Sequence, residues 1–170
     1  MAQQGEQFDY HDGEGQDWIA SWHRHDLPPP NGERHGSSGI CFTSDGDIVL
    51  VGWDDIPWEF LGGRTEGAED WRATLDREVL EEACSSVEEA TLLGFTRIEC
   101  VQGPQKGLVR VRSLWKATVS VHPWEPQHEI TRRLVVPSDQ ALERVDFGRG
   151  LGPIYQRWFD DATRDDVTRS

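Results

Sequence analysis

Short apolar runs separated by turn residues dominate the chain from Ser38 onward. Ile40-Cys41-Phe42 and Ile48-Val49-Leu50-Val51 flank Ser44-Asp45-Gly46-Asp47, and a Gly-containing turn between β-branched runs predicts a hairpin. Trp58-Glu59-Phe60-Leu61 predicts a further short strand leading into Gly62-Gly63. Over residues 69–83 the period changes. Trp71, Leu75 and Val79 recur at i, i+4 and i+8, one face of a helix, and that stripe reads as core. Strand character returns at Thr91-Leu92-Leu93-Gly94-Phe95. The longest strand signal spans 108–119, where Val109, Val111, Trp115, Ala117 and Val119 alternate with Arg110, Arg112, Lys116 and Thr118, one face apolar and the other basic. Residues 130–136 predict another strand, ended by Pro137. Ser138 reads as the N-cap of a helix carrying Leu142 and Val145, and Pro153 as the first turn of a last helix with Ile154 and Trp158.

The beginning of the chain is different. Residues 1 to about 15 are polar, Gly-rich and acidic, which predicts no regular structure. Trp18 and Trp22, at i and i+4, predict a short helix over residues 16–22, and Pro28-Pro29-Pro30 stops anything regular. Residues 1–35 therefore read as an N-terminal arm, partly disordered, with packing on the core as its structural role and a lid or a homodimer contact as its functional one. A single domain is expected over 36–163 and a disordered tail over 164–170. Strands with a helix in their midst and helices at the end predict an α+β domain.

With 170 residues, eight Trp and six Phe, the chain can bury one sizeable core. Asp plus Glu exceed Lys plus Arg by 31 to 17, a formal charge of −14. A field of that sign repels a phosphate backbone and an anionic lipid surface, so nucleic acid and membrane are not expected partners. No apolar run reaches the roughly 18 residues of a spanning helix, and the N-terminus lacks the pattern of a signal peptide. Cys41, Cys84 and Cys100 are odd in number and form no CxxC pattern, which together with the missing leader points to a reducing cytoplasm.

The chemistry gathers in Gly62-Gly63-Arg64-Thr65-Glu66-Gly67-Ala68-Glu69, followed by Arg77-Glu78-Val79-Leu80-Glu81-Glu82. On a helix, Glu78, Glu81 and Glu82 share about one turn of one face. Two like charges about 5 Å apart repel by roughly 3 kcal/mol at an effective dielectric of 20, and acidic groups near a helix C-terminus oppose its dipole. Either the run is a solvated charged face, screened by salt, or a cation is held there. Clustered hard oxygen ligands suit Mg²⁺ or Mn²⁺, which in turn meet the phosphates of a substrate.

At these residues the sequence resembles the Nudix hydrolases, whose signature is G-x5-E-x7-R-E-U-x-E-E-x-G-U with U a bulky apolar residue. Gly63, Glu69, Arg77, Glu78, Val79, Glu81 and Glu82 fall on it, while Cys84 stands for its Gly and Ser85 for its last apolar residue. The resemblance implies a Nudix-like α/β/α sandwich with a mixed sheet and the signature on a loop and helix. It also implies a metal site of Glu78, Glu81, Glu82 and the Gly63 carbonyl, with Arg77 orienting the carboxylates and Glu69 bracing the turn. The implied activity is a Mg²⁺- or Mn²⁺-dependent pyrophosphohydrolase, in which water attacks phosphorus of a nucleoside diphosphate linked to another moiety. Glu78, Glu82 and Arg77 would serve that reaction directly. For the general base, Glu125 and Glu129 are the loop residues to weigh, with Glu129 preferred. A residue with a Cβ at position 84 must either take the left-handed conformation of the family's Gly or let the helix run on. The poor helix propagators Ser85-Ser86 favour the first.

Arg110, Arg112 and Lys116, with Lys106 before them, are the densest basic group, able to receive a substrate phosphate or carboxylate or simply to face solvent. Trp58 and Trp124 could stack on a base or belong to the core. The histidines, His23, His25 and His35 included, lack metal spacing and read as surface. Two functional classes stand: the hydrolase, acting on a small nucleotide, and a Nudix-type sensor that binds a nucleotide without turnover. Retention of all three glutamates favours the enzyme.

Overall fold

A computed structural model describes residues 1–54, 57–127, 129–130, 132–148 and 150–164. Eleven elements follow in the order β1 (Gln7–His11), β2 (Asp17–Arg24), β3 (Glu33–Phe42), β4 (Ile48–Gly52), β5 (Leu61–Arg64), α1 (Trp71–Ala83), β6 (Ser85–Gln102), β7 (Val109–Val121), β8 (Arg132–Val136), α2 (Ser138–Arg144) and α3 (Gly152–Thr163). The strands form one mixed sheet in the order β1-β2-β6-β7-β3-β4-β8, with β5 on β3. Only β3 and β7 run parallel; every other pairing of named strands is antiparallel.

Strand β4 shows why the sheet needs a helical layer on each face. All five of its residues are buried. Because side chains alternate, Ile48 and Leu50 enter the core under α2 and α3, with Leu114, Ile154 and Trp158, while Val49 and Val51 enter the core under α1, with Leu75, Val79 and Ala83. The expected α/β/α sandwich with a mixed sheet is therefore the observed architecture. Among the described residues, no helix is long and apolar enough to cross a membrane.

The N-terminal segment departs from expectation. Residues 7–11 and 17–24 are strands, not part of a loose arm, and β2 pairs with β6 along its length. The helix expected over residues 16–22 is β2. Residues four apart share a face in a strand as well as in a helix, so the Trp18 and Trp22 spacing fits both periods, and pairing with β6 decides for the strand. Trp18 and Trp22 are both buried, and the Ala2 amide donates to the Pro153 carbonyl at 3.2 Å, tying the chain start to α3. Of the expected tail, residues 165–170 lie outside the described residues.

Smaller differences have local causes. The strand expected at residues 58–61 is reduced to isolated bridges, Val51 with Glu59 and Trp58 with Val145, and β5 begins only at Leu61, so Gly62 and Gly63 lie inside a strand. Helix α2 begins as expected after Pro137, but without a side-chain cap from Ser138. In α1, Asp70 is the N-cap, accepting from the Ala73 amide at 2.8 Å. At its C-terminus Cys84 is left-handed (φ 48°, ψ 47°) and its amide donates to the Leu80 carbonyl at 3.1 Å. The helix therefore ends where the family's Gly would end it, on a residue with a Cβ.

Candidate active site

The loop from β5 into α1 brings its carboxylates together around one guanidinium. Arg77 Nε donates to Glu69 Oε2 at 2.8 Å, Nη1 donates to Glu78 Oε1 at 2.8 Å and to Glu81 Oε2 at 3.0 Å, and Nη2 donates to the Arg64 carbonyl at 2.7 Å. All the separations are short in sequence, so a helix preceded by a tight turn suffices to build the group. Glu69 also accepts from the Glu66 amide at 2.7 Å and from Thr74 at 3.2 Å. Arg77, with the Glu66 amide and Thr74 adding to it, holds the Glu69 carboxyl at about 2, well below the carboxylate range.

Glu82 is not among the carboxylates that Arg77 holds. Burial first, then the adjacent Glu78 carboxylate, push its pKa well above the carboxylate range, and Arg112 offsets this only in part. Glu59 contributes to that upward push and is itself raised by burial. Glu59, Glu78, Glu81, Glu82, Glu129 and Gly63 line one cleft of about 610 Å³. The preferred loop carboxylate, Glu129, thus reaches the cleft. Glu125 lines a separate depression beside Cys84 and His122.

The cleft tests well against a hard divalent cation. Its donors are all oxygens. Gly63 lies so close to Glu78 that an added Cβ would fall within 2.5 Å of the carboxyl carbon and both oxygens, so the strand backbone and the carboxylate form a cradle that only Gly permits. A Cβ at Gly36, opposite on β3, would likewise collide with the Gly63 carbonyl. Among the described residues, no three acidic, His or Cys side chains already converge at ligand distance, since Glu78 and Glu81 each turn an oxygen to Arg77. Of the signature residues, Gly63, Glu78, Glu81 and Glu82 share the cleft, and Arg77 and Glu69 brace it from behind.

The basic residues of β7 divide. Arg110 and Arg112 line a cavity of about 250 Å³ between the sheet and α3, whereas Lys116, on the same strand face, lies beyond Leu114 in an outer groove with Arg157 and Asp161. Lys116 is in neither the cleft nor the cavity, so the group of three expected from the strand alternation splits. Arg112 stands between cleft and cavity: Nη1 donates to Ser38 Oγ at 2.8 Å, and Glu82, Glu78 and Glu59 are among the charges it feels. Trp124 packs against the α1-side core with Arg133 over its ring, and Trp58 packs against the opposite core with Arg132 over its ring. Sequence reasoning missed Glu59, whose one signal was a charge inside the apolar run Trp58-Glu59-Phe60-Leu61, and His35, which lines the arginine cavity.

No protein-family model matches this chain, and neither does any curated protein. Solved structures do. The Bacillus subtilis pyrophosphohydrolase BsRppH superposes with a TM-score of 0.65 at 20% identity, over 91% of this chain and 97% of its own. The chain has the Nudix fold. A Nudix hydrolase from Nitrosomonas europaea aligns with a TM-score of 0.58 at 20% identity, over 76% of this chain and 88% of its own. The Nudix domain of Shewanella oneidensis NrtR, solved with ADP ribose, aligns at 0.55 and 16%, over 77% and 91%. At such identities the likeness concerns the fold, and within the Nudix fold the cleft is described by this chain's own residues.

Proposed function

We propose that the chain is a divalent-metal-dependent pyrophosphohydrolase acting on a small nucleotide, a nucleoside diphosphate linked to another moiety. The observation that carries this reading is the fit between Gly63 and Glu78, a backbone cradle around a carboxylate that Arg77 orients beside two further glutamates. Glu78, Glu81, Glu82 and the Gly63 carbonyl would hold Mg²⁺ or Mn²⁺. When bound, the cation neutralises diphosphate oxygens and acidifies water.

The chain's own residues supply the rest. Arg77, fixed by Glu69 and the Arg64 carbonyl, keeps Glu78 and Glu81 facing the cleft. Glu129, on the cleft rim, accepts the proton of the attacking water. Arg112 adds positive charge where a phosphate would leave the cleft toward the cavity, and Arg110 extends that charge inward.

The test is a panel of nucleotide sugars, dinucleoside polyphosphates and nucleoside triphosphates, with phosphate or pyrophosphate detection and with Mg²⁺, Mn²⁺ or chelator. Metal-dependent turnover of one class supports the hydrolase. A folded protein inert on the whole panel, yet binding a nucleotide tightly, would replace it with the sensor.

A further inference from the structure

The cavity under α3 presents hydrogen-bond donors and positive charge with too little to receive them. Arg112 Nη2 lies 3.3 Å from His35 Nδ1, and a guanidinium can only donate, so Nδ1 accepts and the imidazole proton sits on Nε2. That Nε2 is buried and has no protein partner among the described residues. Arg110 Nε is likewise a buried donor without a partner. Neither Arg110 nor Arg112 forms an ion pair with a described carboxylate, and the charge of Arg110 rests against the Trp18 ring at 5.7 Å. Burial first, then the charges of Arg112, Arg110 and Arg64, hold the His35 pKa down at about 4, so the ring is a neutral donor at pH 7.

A buried unsatisfied donor is costly, and so is a guanidinium with no carboxylate within ion-pair distance, even where carboxylates stand farther off as they do for Arg112. The remaining walls, Tyr10, Tyr155 and Trp158 among them, supply aromatic surface. What completes such a site is a ligand of several acceptor oxygens and negative charge. We propose that this cavity is an oxyanion site of phosphate type, separate from the acidic cleft, with Arg110, Arg112 and His35 as its donors. The phosphate comes either as the free anion or as a further phosphate group on the substrate whose diphosphate occupies the cleft. Only the second source rests on the hydrolase reading.

Calorimetric titration of the full chain with inorganic phosphate, in chelator and at constant ionic strength, tests the site without any role for the cleft. One saturable phosphate site is expected, with acetate binding at least tenfold more weakly. Arg110→Gln should weaken phosphate binding at least tenfold, while Glu81→Gln, at a cleft residue turned toward Arg77, should leave it unchanged. In the unaltered protein, phosphate should move the His35 imidazole resonances, a readout that needs no variant to fold. Absence of saturable binding, unmoved His35 signals, or equal binding by a folded Arg110→Gln protein would overturn the proposal. Source is decided by paired diphosphate substrates that differ by one phosphomonoester. A tenfold or greater preference in kcat/KM assigns the group to the substrate, and equal values assign the site to the free anion. Absence of hydrolysis by the unaltered protein on the whole panel, with phosphate binding intact, would count against the cleft reading alone.

Discussion

Arg77 Nε and Glu69 Oε2 stand 2.8 Å apart, eight residues away in sequence, and each is only 19% exposed. This pair joins the loop before α1 to the helix that carries the remaining glutamates. Its rigidity is what lets one guanidinium aim two further carboxylates. Arg77→Ala should lower stability, since it leaves Glu69, Glu78 and Glu81 without their shared partner, and should abolish metal-dependent turnover. Denaturant melts and the hydrolysis assay measure the two effects.

The same pair sets an acid limb. Glu69 is held at about 2 in the folded chain against an ordinary value of 4.5, so its contribution is fully present above that ordinary value and is lost as pH falls toward 2. Without Arg77 the Glu69 pKa moves back up and this contribution shrinks. Stability of Arg77→Ala should therefore fall less between pH 4.5 and 2 than that of the unaltered protein, as read by denaturation midpoints across that window.

Glu82→Gln keeps the side-chain shape while removing a buried charge beside Glu78. Turnover should fall by at least about a hundredfold, the scale of several kcal/mol that a metal supplies. In chelator, the variant should melt at or above the unaltered protein, because the burial and the Glu78 repulsion that oppose a carboxylate at position 82 no longer act. Full activity in Glu82→Gln would remove it from the metal site.

Gly63→Ala places a methyl within 2.5 Å of the Glu78 carboxyl atoms. Glu78 must turn away or β5 must shift, at a cost of about 1–3 kcal/mol. Metal-dependent turnover should be lost even where the variant stays folded, and calorimetry should show weaker Mn²⁺ binding.

Cys84 holds a left-handed backbone at φ 48°. A Gly there avoids the Cβ penalty, so Cys84→Gly should stabilise the fold by up to about 1 kcal/mol with metal binding retained. A lower denaturation midpoint at unchanged slope would contradict this account of the helix end.

The sequence by itself determined α1 and its carboxylate face, because a helix brings residues three and four apart side by side whatever surrounds it. Glu78, Glu81 and Glu82 were legible on that ground, Gly63, Glu69 and Arg77 only through the resemblance to the Nudix signature, and β4, β7 and the start of α3 through their own apolar patterns. Period could not tell helix from strand at Trp18 and Trp22, where four residues satisfy both, and only pairing with β6 settled it. Nor could alternation along β7 separate Arg112 from Lys116, which point the same way and are divided by the packing of α3 over Leu114. Glu59 joined the cleft, and His35 met Arg112 across 77 positions, through strand pairing between distant segments. Such contacts depend on which strands lie side by side, and hydrophobic period carries the face of each strand but not the identity of its neighbour.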